Sequence, residues 1–245
     1  MTGVQTCALP IYFDPEIVKT ELEKLFGNWN SAKSYTRIAE PYFQPTALDL
    51  EIKTPDKANA FLLMQTNHAI GWEHPDYPGF VVGMRILGGG QLKSRLADRI
   101  RQKDGLSYGV GANFSSSAYE NSGSIGGYAI SAPENAAKVE LAFREEIALL
   151  LKDGISQQEL KDAVDGILKE RNVSRSDDGW LANRLQFNLD INYKMDQMQK
   201  YENLLQSLKV EEVNSAMRKH LKPEQLSFVI AGDFDAAAKK TAEKK

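Results

Sequence analysis

Arg101 and Tyr108 are the residues of this 245-residue chain whose types and spacing could do chemistry together. A guanidinium and a phenol both donate hydrogen bonds, so the two groups could converge on one point. The pair lies in the stretch LGGGQLKSRLADRIRQKDGLSYGVG, Leu87 to Gly111. Apolar Leu92, Leu96 and Ile100 recur every four residues and predict one buried helical face. Arg95, Arg99 and Lys103 recur on another. Asp104-Gly105 ends the helix, because glycine takes the left-handed C-terminal position without steric cost. Leu106, Tyr108 and Val110 then alternate with Ser107, Gly109 and Gly111, the period of a strand. Arg101 leaves the last helical turn, Tyr108 stands on the strand, and the turn between them can bring both groups to one point. By chemistry alone, a surface arginine and a half-buried strand tyrosine is the stronger reading.

Other chemistries find less. The histidines are His68, His74 and His220, and no pair has the spacing of H-E-x-x-H or H-x-x-E-H. His220 closes a helix, where a cation suits the dipole, and His68 follows a strand. All three read as structural, so no metal ligands are assigned. There is no G-x-S-x-G, and the one cysteine is Cys7. Gly88-Gly89-Gly90 lacks the G-K-[ST] ending of a phosphate loop and reads as close packing or a turn.

The elements that must position the pair follow from the patterning. Net charge is −3, which argues against nucleic acid, and no apolar run reaches the length of a membrane span. The opening MTGVQTCALPI has neither strand nor helix period nor the plan of a signal peptide. It reads as a translated sequencing adapter, which makes residues 1–11 a non-native leader and Tyr12 an altered aspartate codon. Tyr12-Phe13-Asp14 before one helix resembles Asp233-Phe234-Asp235 before another, 221 residues on. That repeat predicts tandem homologous domains: residues 12–46 end one and link to the next, and 47–245 form the second. Strands are expected over 48–52, 59–66, 109–117, 124–131 and 226–231. Helices are expected over 15–29 and 79–87, from Pro133 to Gly154, from a Ser156/Glu159 capping box to Arg175, and over 180–188, 195–205 and 211–221. Asp177-Asp178-Gly179 reads as a break. Early strands followed by helices give an α+β domain: a mixed or antiparallel sheet under helices, a ferredoxin-like two-layer sandwich.

The central stretch resembles a segment of the pitrilysin/insulinase family of zinc metallopeptidases. The residues that carry the resemblance are Gly88–Gly90, Ser94-Arg95-Leu96, Arg101 with Gly105-Leu106, and Tyr108. The Ala132-Pro133-Glu134-Asn135 turn and the closing Ala231-Gly232-Asp233-Phe234 also look like the family. The resemblance implies homologous α+β domains that clamp a closed chamber, with Zn2+ held by an H-x-x-E-H motif in the first domain and none held by this chain. It implies that Arg101 and Tyr108 reach that zinc site and hold the substrate carbonyl, with Gly105 and Leu106 beside them in substrate binding. The implied partners are a peptide substrate and the N-terminal half of the same protein or a homologous subunit; the implied compartment is the periplasm. The rival readings are a non-catalytic scaffold subunit of the same family and a peptide-binding module without hydrolysis.

Overall fold

The computed structural model of the chain describes residues 13–90 and 93–242. The leader, Tyr12 and Leu92 therefore lie outside the described residues. The chain divides into two compact units, one running to Ala39 and one from Glu40 to Lys245. In the first, α1 (Pro15–Phe26) starts at its proline, and the Asp14 carboxylate accepts from the amides of Glu16 and Ile17. The helix is three residues shorter than expected, because Gly27 closes it with a backbone bond to Glu23. Ile17, Val18, Leu22, Leu25 and Phe26 form its apolar stripe, and all are exposed.

The second unit is built on a five-stranded mixed sheet. Its strands are β1 (Asp49–Lys53), β2 (Ala60–His68), β3 (Ser107–Ser116), β4 (Gly123–Ser131) and β5 (Ser227–Gly232). They stand in the order β1-β5-β2-β4-β3, with β1 and β5 parallel and every other pair antiparallel. The α+β expectation is therefore borne out. Strict alternation in β2 buries Ala60, Leu62, Met64, Thr66 and His68 on one face and turns Phe61 and Leu63 to the other.

The helices of this unit are α2 (Tyr77–Met84), α3 (Ala136–Asp153), α4 (Gln157–Ser174), α5 (Asp178–Asp190), α6 (Met195–Ser207), α7 (Val210–His220) and α8 (Phe234–Ala242). Residues of α2, α3, α4, α6 and α7 join Leu62 and Met64 in the core. Phe80, Leu87, Leu96, Ile100, Phe143 and Phe228 fill the core between the layers. Ser156 and Glu159 form the expected capping box at α4. Two expectations need correction. Pro133 opens a short 3-10 turn, and α3 proper begins at Ala136. The helix does break where expected, after Ser174, but the break is shorter: Asp177 caps α5 through the Trp180 amide, so Asp178 and Gly179 are its first residues.

The other sheet face is open. The strand register sets two rows across it, Ile52–Ala231–Phe61–Ile130–Gly109 and Leu50–Val229–Leu63–Tyr128–Gly111. Ile52, Phe61, Ile130, Leu50, Leu63 and Tyr128 are all exposed large apolar side chains.

Candidate functional site

The site is built on two π-helical segments and the edge strand β3. The first segment, Arg85–Gly89, continues α2. A β-carbon on Gly88 would lie 2.5 Å from the Ala112 amide nitrogen and 2.6 Å from its Cβ, so the glycine is there to let this turn press on β3. The second, Ala97–Lys103, is the basic helix of the central stretch. Leu96 and Ile100 are fully buried, as the spacing predicts. Such wide turns are often found at functional sites.

Charges fix this second segment. Arg95 donates to Glu159 at 2.7 and 3.0 Å and to the Gly154 carbonyl at 2.8 Å. Burial pushes the Glu159 carboxyl up, but hydrogen bonds from Arg95 and Ser156 outweigh it and hold it below the usual range. Arg99 bonds Asp104 at 2.5 Å and Glu145 at 3.0 Å. Two of the arginines are thus committed to the scaffold, whereas no salt bridge is formed by Arg101 among the described residues.

The helix closes as expected. Gly105 sits at φ 62°, and the Leu106 amide reaches back to the Ile100 carbonyl at 2.8 Å. Leu106 packs on the core. Gly105 and Leu106 therefore set the turn that aims Arg101 and Tyr108.

Arg101 lies over the Tyr108 ring, with its guanidinium carbon 4.8 Å from the centroid, a cation–π contact. The two groups meet, but not by the alternation read from sequence. Ser107 pairs with Ser131 and Gly109 with Ile130, so Tyr108 is an extra residue in β3, a β-bulge. Leu106, Tyr108 and Val110 consequently do not share a face: Val110 is buried and Tyr108 is 85% exposed. Ser107 holds the bulge through bonds from its hydroxyl to the carbonyls of Gly109 and Ile130. Of the glycines that follow, Gly109 is open, the nearest neighbour of a β-carbon there being the Ile130 side chain at 3.8 Å, whereas Gly111 leaves no room on the open face. A β-carbon on Gly111 would lie 3.2 Å from the Tyr128 ring, which covers it. The room lies instead along the outer edge of β3, in a cleft of about 370 Å³ lined by Val81, Arg85, Gly89, Asn113 and Ile167 among others.

The fold also assembles a group that sequence spacing hides. His74, Asp76 and His220 bring their potential ligand atoms within 4.8 Å of one another. His74 and His220, far apart in sequence, therefore stand side by side. His74 and His220 are brought together by the packing of α2 on α7, which no local spacing encodes. His68 remains structural: its ring bonds the Ser115 carbonyl and the Ile70 amide, and burial lowers its pKa to about 4.

Taken together, these elements make an α+β domain with a mixed sheet under helices, a glycine turn pressed on the edge strand, and a part-buried arginine stacked on an exposed tyrosine at an edge bulge. The sequence matches the family model described as the peptidase M16 inactive domain over residues 12–167. The chain belongs to the peptidase M16 family. It is 28% identical over 201 residues to the non-peptidase homolog YmxG of Helicobacter pylori, covering 79% of this chain and 44% of that protein. It is 26% identical over 148 residues to the protein named uncharacterized zinc protease YmxG of Bacillus subtilis, covering 58% of this chain and 33% of that one. The fold is similar to the crystal structure of the peptidase M16 inactive domain from Pseudomonas fluorescens, with a TM-score of 0.76 at 24% identity, over 90% of this chain and 52% of that one. The chain thus spans less than half the length of these curated relatives. Among the described residues, no helix is long and apolar enough to cross a membrane.

Proposed function

We propose that Glu40–Lys245 is the substrate-holding, chamber-forming domain of a zinc-dependent metalloendopeptidase that cleaves peptides and unfolded polypeptides. The Arg101–Tyr108 stack at the β3 bulge carries this reading. An edge strand presents unpaired N–H and C=O groups along its outer side, and an extended peptide can add to it as a further strand. The cleft along β3 gives that peptide a place to lie. The Arg101 guanidinium and the Tyr108 hydroxyl then donate to the oxygen of the scissile carbonyl as it gains charge. Stacking holds the guanidinium plane without consuming its donors, and the bulge turns the phenol out of the core.

The residues of this chain do not form H-x-x-E-H. The family's zinc, which supplies an activated water when bound, does not fit here; in this reading it belongs to a preceding homologous domain or a partner subunit. The apolar open face of the sheet supports that arrangement, because a surface of this kind is ordinarily covered. We place the working protein in an exported compartment on the strength of the family resemblance; cell fractionation checks this.

A second reading is a non-catalytic scaffold of the same family, favoured by the name of the Helicobacter pylori relative. The two separate in one assay. The protein joined to its preceding domain is offered an unfolded polypeptide. Chelator-sensitive cleavage supports the peptidase, and stable binding without cleavage supports the scaffold.

A further inference from the structure

His74 and Asp76 stand in the loop that enters α2, and His220 is the last residue of α7. Small residues bring these helices together. A β-carbon on Gly79 would lie 3.3 Å from Cβ of Ala216, and one on Gly83 would lie 2.2 Å from the Met217 sulfur. The close approach delivers His220 to the loop. Its Nε2 lies 2.8 Å from Asp76 Oδ2, and His74 Nδ1 lies 3.9 Å from the same oxygen. The two imidazoles meet edge to face with centroids 5.1 Å apart. All three side chains are part-buried, at 18, 26 and 10% exposure.

We propose that His74, Asp76 and His220 form a binding site for one divalent transition-metal ion, with two imidazole nitrogens and one carboxylate oxygen as ligands. Two nitrogens with one carboxylate suit zinc, nickel, cobalt or copper, and do not suit magnesium or calcium, which take oxygen ligands.

The geometry needs a small contraction. Ligand atoms about 2.0–2.2 Å from a tetrahedral zinc stand roughly 3.3 Å from one another. The widest separation, 4.8 Å, must therefore close, and the 2.8 Å contact must open slightly. Three internal contacts compete with the metal, the first being the His220 Nε2–Asp76 Oδ2 hydrogen bond itself. Lys219 Nζ lies 2.7 Å from Asp76 Oδ2, and the Asp76 amide donates to His74 Nδ1 at 3.1 Å. The lysine is 60% exposed on a flexible stem and can swing into solvent. It is an internal cation that holds the carboxylate when no metal does. Binding a metal would tie the loop before α2 to the end of α7.

The test uses the 245-residue chain with Cys7→Ser, which removes the thiol as a stray ligand. Zinc, nickel, cobalt and magnesium chlorides are titrated calorimetrically, and cobalt is also followed by its visible absorption. One-to-one binding of the first three and none of magnesium is expected, with a rise in thermal midpoint. His220→Ala and His74→Ala should each lose roughly tenfold or more in affinity. Lys219→Met should bind more tightly, because a competing cation is gone; a purely structural ion-pair cluster would gain nothing from that change. Should a histidine variant fail to fold by circular dichroism, the nearly isosteric Asp76→Asn and Lys219→Met carry the test. Absence of stoichiometric binding, or binding unmoved by Asp76→Asn and not tightened by Lys219→Met, would overturn the proposal.

Discussion

Tyr108 owes its exposure to a single extra residue in β3, and Arg101 owes its freedom to neighbours that take up the other charges. Sequence spacing placed the two groups on either side of the Gly105 turn, and the 4.8 Å stack agrees with that. It put Tyr108 on the wrong face, because alternation assumes an unbroken ladder and the bulge depends on how β4 pairs with β3. The Asp76 cluster was illegible for a related reason: its two histidines are 146 positions apart and meet only through helix packing. His68 gives a prediction at this scale. Its folded pKa of about 4 lies below the ordinary 6.5, so the unfolded chain binds the proton more readily. Its stability contribution is complete above pH 6.5 and is lost as pH falls towards 4. The loss is on the order of 3 kcal/mol. An NMR titration of the His68 ring should show a midpoint near 4, and a midpoint near 6.5 would contradict the burial argument.

Glycines and caps decide the elements. Gly105 and Gly154 end their helices at positive φ, 62° and 76°, and both were readable as C-terminal signals. The Ser156/Glu159 box was readable too, because capping is a local pattern. The π-helical segments were not, since an apolar residue every four positions fits an α-helix equally well. Two substitutions separate strain from crowding. Gly105→Ala meets nothing within 4 Å, so only its left-handed backbone is penalised, by about 1–2 kcal/mol. Gly88→Ala drives a methyl against the backbone of Ala112 and should cost about 1–3 kcal/mol. Urea unfolding measures both. In the substrate-holding reading proposed above, Gly88→Ala should also impair substrate handling, because the turn it displaces borders the β3 cleft. A Gly88→Ala variant as stable as the parent would show that the turn yields freely.

At the scale of the whole molecule, the sheet has one face packed and one face bare. Ile52, Phe61, Leu63 and Ile130 line up on the bare face as an apolar patch, the kind of surface that marks an interaction site. The chain should therefore self-associate or bind an apolar dye, and Phe61→Thr with Leu63→Thr should reduce both while keeping strand propensity. Sedimentation and dye fluorescence would show it; a parent chain that is monomeric and dye-free would count against a covering partner. The sequence made the fold class legible through period and order of elements and left a mixed or an antiparallel sheet open; it could not choose between them, since β1 joins β5 across most of the chain. We propose that Arg101 and Tyr108 serve one substrate oxygen, and kcat for Tyr108→Phe in this chain joined to a zinc-bearing homologous domain, beside Arg101→Ala and the double variant, tests it most directly. Tyr108→Phe should lower kcat by about 10²–10³ with an unchanged thermal midpoint, and the double variant should be less than additive. An unchanged kcat, or a loss that follows unfolding, would contradict it.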